Sequence, residues 1–502
     1  MSRLKANIFA NIAGQAWFVL VSILCTPFLI KMLGVEAYGL IAFYTLLQSF
    51  MQILDMGMGP TVNREIAQSW KTNDKGANSN ELARFITTME RWYWILGGIA
   101  GSVLLVFAPY IVVTWLRPDQ ISVDEMVQSA KLMGILASLQ WPLLYYQNCL
   151  SGMQRQVALN GFQVVFGSLS TVGGIIFLWL GPRSIAGLLS WQVVVMLVHL
   201  LAIAGYFWSR VALPKTELRF DLKALRGKWG FSLGMSGIAI TGLILTHLDK
   251  VILSRLLTLE FFGYYTLAGT IARGLYVFIT PVFNAYFPRF SGLIALGDTA
   301  ALRVSYHRAA QVMSVLILPV AALVAFFSYD IATLWLHNQR VAEEVAPIAT
   351  LLIIGTCLNG LMNVPFALQL AYGRTQIGLY INCCLALFLI PGIIFLTFQY
   401  GAIGGAAMWV IVNGIYLLIG IPVTHKYLLA GATSTWVKRD LLPPLIISIA
   451  VVGVSRLLAP TFQSAMLSLT LFACVWFITT FSAAVSVGYV RDWGRGLLVR
   501  FI

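Results

Sequence analysis

The sequence predicts an all-α polytopic membrane protein of about fourteen transmembrane helices, and three observations carry that prediction. Of its 502 residues, 59% are hydrophobic and only 10% charged, with a mean hydropathy of +0.83. The charged residues gather between apolar runs of roughly 20 residues, the length that crosses a ~30 Å hydrocarbon core. Lys and Arg also fall unevenly on alternate loops. No soluble domain could cover this composition with a polar surface, and the loops are too short to fold a separate catalytic domain.

Spans are expected near 8–32, 38–55, 92–115, 127–150, 157–180, 185–208, 230–256, 262–287, 308–330, 345–370, 377–399, 403–427, 441–459 and 466–489. The first run follows Arg3 and Lys5, is too long for a signal sequence and lacks a small-x-small cleavage site, so it is kept as a span. With the N-terminus inside, cytoplasmic segments collect Arg64, Lys71, Arg84, Arg91, Arg210, Lys215, Arg226, Arg289, Arg303, Lys438 and Arg439, among others. The outer side keeps few, including Lys31, Arg117, Arg183, Arg255, Arg340 and Arg456. This bias places both termini in the cytoplasm and accounts for the net charge of +14 without nucleic acid. All six cysteines fall inside apolar runs with no CxxC or Cys/His spacing. They are expected to be buried small hydrophobes, so no disulfide, metal or cofactor is expected.

The chain is internally duplicated. Gly174 to Leu178 (GIIFL) recurs as Gly392 to Leu396, and at the same offset Ile185, Gly187 and Trp191 match Ile403, Gly405 and Trp409. Lys31 to Gly39 (KMLGVEAYG) likewise resembles Arg255 to Gly263 (RLLTLEFFG). An even number of spans separates the copies, so the repeats run parallel, as in two-lobed transporters. The expected domains are a six-helix lobe over 1–229, a second over 230–428, and an appended helical pair with a cytoplasmic tail over 429–502.

Polar residues recur at helical spacing on several spans, which marks faces not meant for lipid. Span one carries Asn11, Gln15, Ser22 and Thr26, and span two Thr45, Gln48, Gln52 and Asp55. Span eight carries Thr266, Thr270, Arg273, Thr280 and Asn284, and span ten Thr356, Asn359 and Asn363. These faces are expected to meet at a water-filled cavity, against the plainer reading that single amides and hydroxyls join helices. Ionisable residues inside spans are a stronger signal because each is costly unless it faces water or a partner. Arg273 falls mid-span, and His247, Asp249 and Lys250 lie about two turns from the outer end of span seven. His199 reads as structural, while Asp330 and Arg91 read as interfacial. Bends are expected at Pro27, Pro142, Pro281, Pro319, Pro365 and Pro391. No HExxH, Walker, GxSxG or metal-binding spacing is present, so nothing reads as an active site.

The run from Asn11 to Trp17, the run from Lys31 to Gly39, and Leu54 to Glu65 (LDMGMGPTVNRE) resemble the polysaccharide-export flippases that include the O-antigen translocases. That family belongs to the multidrug/oligosaccharidyl-lipid/polysaccharide exporter superfamily, built from two six-helix lobes. The resemblance implies translocation of an undecaprenyl-pyrophosphate-linked oligosaccharide across the bacterial inner membrane by alternating access. It also implies association with a polysaccharide polymerase and chain-length machinery. Asp55, Gly57 and Arg64 match the family motif at the cytoplasmic end of span two. The family's cavity charges correspond here to Asp249, Lys250 and Arg273; separately, Asp249 is the only acidic residue well within a span and so the expected carboxylate for coupling to a proton or sodium gradient. With Arg273 and Lys250, the stripe residues Asn11, Gln15, Gln48, Gln52, Asn359 and Asn363 are the expected substrate-binding residues of the cavity. The pair after about residue 430 departs from twelve-span members and resembles relatives that flip lipid-linked cell-wall precursors.

Two rivals stand beside this reading. A drug/cation antiporter of the same superfamily would show acidic cavity residues, which Arg273 and Lys250 oppose and Asp249 partly allows. A membrane polymerase or glycosyltransferase would carry a long outer loop or a carboxylate cluster, and the outer loops here are short.

Overall fold

A computed structural model describes residues 3–55, 58–71, 77–211, 247–459 and 464–488. Every regular element among them is helical: α1 (Arg3–Leu54), α2 (Met58–Lys71), α3 (Ala77–Thr114), α4 (Val123–Gly152), α5 (Gln156–Leu180) and α6 (Ile185–Arg210) come first. There follow α7 (247–256), α8 (Leu259–Arg273), α9 (Tyr276–Ala295), α10 (Thr299–Phe326), α11 (Ser328–Leu336) and α12 (Gln339–Ala371). The last are α13 (Thr375–Leu428), α14 (Ala432–Thr435), a π-helical turn (Trp436–Leu441), α15 (Leu442–Leu458) and α16 (Ala465–Ser486).

At 52 and 54 residues, α1 and α13 would each extend ~80 Å if straight, far more than one bilayer crossing. Gly34 (φ 83°) and Gly401 (φ 59°) divide them, and the left-handed backbone at each explains why glycine stands there. The element order therefore accommodates the fourteen expected spans, with span seven described only over 247–256. Helix starts follow capping chemistry: Ser122, Ser184, Asp298 and Asn338 each accept a hydrogen bond from the backbone amide three residues on. Most of the expected prolines are carried within continuous helix. The 45° bend instead falls between α8 and α9, at Gly274 and Leu275.

The chain divides into two compact units, Met1–Gly263 and Tyr264–Ile502. The lobe boundary expected at 229 lies outside the described residues. In the first unit α3, α4 and α6 enclose an aromatic core of Tyr93, Trp141, Tyr145, Tyr146 and Phe207. The amphipathic α2 seats Val62 and Ile66 against α4 while Arg64 stays exposed. The Lys31–Gly39 motif also acquires a physical meaning. Buried Glu36 accepts backbone amides from Asp119, Gln120 and Ile121 at 2.7, 2.8 and 3.0 Å, which fixes the turn before α4. The matched glycines of the two copies pack against each other. A Cβ on Gly39 would lie 2.1 Å from the Leu259 carbonyl oxygen, and one on Gly263 would lie 2.6 Å from that of Val35.

In the second unit α10, α12 and α13 form the core, and the C-terminal pair packs α15 and α16 against α10. Polar ties hold that pair near both of its ends. Arg456 donates to Asp330 at 2.7 Å, while fully buried Asp440 on the π-turn accepts from Gln311 at 2.8 Å and meets His307 Nδ1 at 2.5 Å. Cys25, Cys149 and Cys357 are buried as expected, but Cys383, Cys384 and Cys474 are exposed. An apolar helix face turned to lipid accepts a thiol as readily as a core does, so apolar context alone does not locate one.

Gly39→Val is expected to lower membrane abundance and to destabilise the purified protein by ~1–3 kcal/mol, the range for overpacking a tight contact. Gly98→Ala, whose Cβ meets nothing within 4 Å, serves as the control. Equal melting temperatures for the two variants in detergent would refute the contact.

Candidate functional site

Arg273 is the last residue of α8, and the helix does not continue smoothly through it. Gly274 and Leu275 turn back with short-range amide bonds to Ile271 and Ala272 (3.1 and 3.2 Å) before α9 begins at Tyr276. Two half-helix ends therefore face the break. The carbonyl end of α8 favours the Arg273 cation, while the first amides of α9 are closed by the backbone, Val277 donating to the Gly274 carbonyl at 3.2 Å and Phe278 to that of Leu275 at 3.0 Å. The Arg273 guanidinium is exposed and donates to Thr270 Oγ1 at 3.3 Å. No carboxylate of its own unit pairs with it among the described residues. An exposed guanidinium with a single neutral hydrogen-bond partner is a group that accepts a phosphate or carboxylate.

One turn on from Arg273, a chain of hydrogen bonds crosses to α12 and α13. The Tyr276 hydroxyl donates to Asn359 Oδ1 at 2.9 Å, Asn359 Nδ2 to Asn413 Oδ1 at 2.9 Å, and Asn413 Nδ2 to the Trp409 carbonyl at 2.8 Å. Trp409 Nε1 reaches Thr356 at 3.3 Å, and Asn363 donates to the Asn359 carbonyl at 3.0 Å. The expected residues Asn359 and Asn363 are thus joined with Tyr276, Trp409 and Asn413, none of which the sequence singled out as a site residue, while Arg273 precedes Tyr276 by three positions and bonds Thr270. Asn413 could have been found as a lone amide inside an apolar run. Tyr276 gave no signal beyond its spacing from Arg273. The carboxamide of Asn359 is already engaged on both sides, so it positions Tyr276, whose hydroxyl it holds and whose side chain is partly exposed.

The remaining expected residues belong to the first unit. Asp249 and Lys250 are half-buried on α7 and engaged with neighbours. Gln48 is half-buried, and the backbone is helical at Asn11, Gln15 and Gln52. Gly14, between those first two positions, brings α1 so close to α5 that its Cβ would sit 2.5 Å from Asn160 Oδ1. Hydroxyls on these stripes bond within their own helices: Thr26 to Ser22, Thr45 to Ile41 and Thr270 to Thr266. In the span-two motif, Gly57 lies outside the described residues and Arg64 is exposed and engaged. Asp55 is buried, accepting from the Tyr93 hydroxyl at 2.5 Å and from the Gly59 amide at 2.8 Å, so it caps α2 and anchors it to α3. Asn63 adds a bond to Ser151 of α4 at 2.9 Å. His199 stacks on Phe166 at 4.6 Å, buried between α5 and α6, which fits the structural role expected of it.

A family model described as "Polysaccharide biosynthesis protein" matches residues 4–294. The chain is 23% identical over 414 residues to a putative O-antigen transporter of Shigella flexneri, covering 82% of this chain and 94% of that protein. It is 24% identical over 253 residues to the lipopolysaccharide biosynthesis protein WzxC of Escherichia coli (strain K12), about half of each chain. Among solved structures, the lipid II flippase MurJ in an inward closed conformation superposes with a TM-score of 0.70 at 13% identity, over 95% of this chain and 98% of that one. An inward-facing multidrug resistance MATE family transporter of the MOP superfamily gives 0.63 at 15% identity, over 83% and 96%. At such identities these two likenesses establish a shared fold.

Asp55→Ala is expected to orphan the Tyr93 hydroxyl and the Gly59 amide, costing ~1–3 kcal/mol for each buried group left unsatisfied. Adding Tyr93→Phe should recover part of that loss, since it removes one of the orphans. Melting curves of the single and double variants check this, and strictly additive losses would break the proposed pairing.

Proposed function

The chain belongs to the polysaccharide biosynthesis protein family, and on that premise we propose that it is a flippase for lipid-linked oligosaccharide. In this reading an undecaprenyl-pyrophosphate-linked sugar unit passes from the cytoplasmic to the outer leaflet of the bacterial inner membrane. The observation that carries it is the open Arg273 guanidinium at the break between α8 and α9. A pyrophosphate brings negative charge that must be balanced away from bulk water, and Arg does so through a bidentate fork. Broken helices whose ends face a polar group are the usual way transporters hold an anion at membrane depth. Tyr276, held by Asn359 and Asn413, offers a ring face and a hydroxyl of the kind that receive a sugar.

The relative named as an O-antigen transporter and the fold shared with a lipid II flippase support the same substrate class. The fold shared with a multidrug transporter suits the antiporter reading equally well, so the charge at the break decides between them. Both termini are assigned to the cytoplasm from the Lys and Arg distribution, and the two duplicated lobes to alternating access around a polar cavity. Asp249, half-buried on α7, is assigned to coupling with a proton or sodium gradient. A polymerase and chain-length machinery would act on the exported product.

In a strain lacking the gene, Arg273→Ala and Arg273→Lys should reach wild-type membrane abundance yet restore less than a tenth of the surface polysaccharide. Lys keeps the charge but not the fork. Normal export by Arg273→Ala would remove the phosphate role.

Asp249→Asn should reduce gradient-driven transport in vesicles more than Asp249→Glu does. Unchanged transport in Asp249→Asn would place the coupling elsewhere.

A further inference from the structure

The α5–α6 pair carries a set of groups that this reading leaves unused. At the end assigned to the cytoplasm, Arg155 and Arg210 converge on one ring, their Cζ atoms 6.0 and 5.4 Å from the centroid of Tyr206. Arg155 Nη1 also donates to the Tyr206 hydroxyl at 3.0 Å. Neither guanidinium pairs with a carboxylate among the described residues. Glu90, from α3, is already occupied by the Tyr146 hydroxyl and by Trp208 Nε1 at 3.2 Å. Helix α5 begins beside Arg155 with no side-chain cap on its first amides, which adds the positive end of a helix dipole.

From this charged end an aromatic ladder runs along the two helices. Phe162 meets Tyr206 edge-on at 5.5 Å and stacks on Phe166 at 6.3 Å, and Phe166 stacks on His199 at 4.6 Å. Farther along, Trp191 is tied by Nε1 to the Leu169 carbonyl at 2.9 Å and stacks on Phe177 at 5.5 Å. Leu169, Gly173, Phe177 and Trp191 line an open apolar groove of about 390 Å³. Glycine at 173 makes that groove, because a Cβ there would lie 2.9 Å from the Trp191 ring.

We propose that this α5–α6 face docks a polyprenyl diphosphate lipid, with the diphosphate between Arg155 and Arg210 and the chain along the ladder into the groove. The proposal rests on the flippase reading and adds a place where the lipid is held apart from Arg273. Charge complementarity selects a phosphorylated headgroup, since basic pockets between spans on the cytoplasmic side take anionic heads. Length selects the chain. At 1.5 Å per residue, Leu169 lies ~21 Å and Phe177 ~33 Å along α5 from Arg155. An ordinary acyl tail reaches only to the midplane of a ~30 Å core, ~15 Å deep. A lipid headed at the arginines therefore reaches the groove only if its chain is much longer than an acyl tail, as an undecaprenyl chain is.

The test uses the full chain in vesicles of phosphatidylethanolamine and phosphatidylglycerol. One sample receives a polyprenyl diphosphate with a diazirine near its tail end, the other a phosphatidylglycerol with a diazirine at an acyl end. Adducts are mapped by peptide mass spectrometry. The polyprenyl probe should label the 169–191 region, be displaced by undecaprenyl diphosphate, and lose at least fivefold of its labelling in Arg155→Gln/Arg210→Gln. Leu169→Trp, which fills the groove without touching the charges, should lose the label at unchanged membrane abundance. Equal labelling by the phosphatidylglycerol probe, or polyprenyl labelling confined to other helices in a protein that still restores export, overturns the site and leaves the flippase reading standing. A protein that takes no polyprenyl label anywhere and does not restore export in a deletion strain sinks that reading, and this site with it.

Discussion

A bilayer interior supplies no hydrogen-bond partner, so every polar group placed there must be closed by the protein itself or turned toward water. Most of the polar side chains in this structure follow from that constraint. Hydroxyls on the helix stripes donate to carbonyls of their own helices, and Asn359 donates to Asn413 while Tyr276 and the Trp409 carbonyl engage the other ends of those two amides. Exceptions such as Ser129 Oγ and Trp141 Nε1 are buried, whereas the Arg273 guanidinium is an exposed donor. Among the described residues of its unit, Arg273 donates to Thr270 and leaves the rest of its guanidinium exposed at the break between α8 and α9.

Charge follows the same logic in a second way. Four buried or half-buried carboxylates take no arginine or lysine among the described residues. Glu36 takes three backbone amides, Asp55 a tyrosine and an amide, Glu90 a tyrosine and an indole, and Asp440 a glutamine and a histidine. Amides, hydroxyls and an indole satisfy most of these oxygens without spending an arginine or lysine on them, and a buried ion pair of similar geometry would carry a large desolvation cost. The arrangement leaves Arg155, Arg210 and Arg273 available to anions that are not part of the protein.

Much of this fold was legible in the sequence because membrane insertion is written in hydropathy and in Lys and Arg placement, both of which are local. The duplication was legible for a related reason: the Lys31–Gly39 and Arg255–Gly263 runs supply close-contact glycines that substitution would disturb. What stayed hidden depends on pairing across helices. The bend at Gly274 was masked by nearby prolines, which a membrane helix tolerates better than a soluble one. Tyr276 and Asn413 join the candidate site only because α9, α12 and α13 bring them together. Asp440 and His307 sit near span ends, where a charge reads as topology. Exposed Cys383, Cys384 and Cys474 escaped because a lipid-facing surface and a protein core share one composition.

The contact between Gly39 and Gly263 has a genetic consequence. In most packed interfaces an enlarged side chain can be relieved by trimming its neighbour, so a second mutation at the facing position rescues the first. Here the facing position has nothing left to trim, and the atoms in the way are the backbone carbonyls of Leu259 and Val35. A selection for suppressors of Gly39→Val should therefore recover no change at residue 263. The two copies of the duplicated segment differ at most positions, yet at this one each holds the other to the smallest residue in the alphabet.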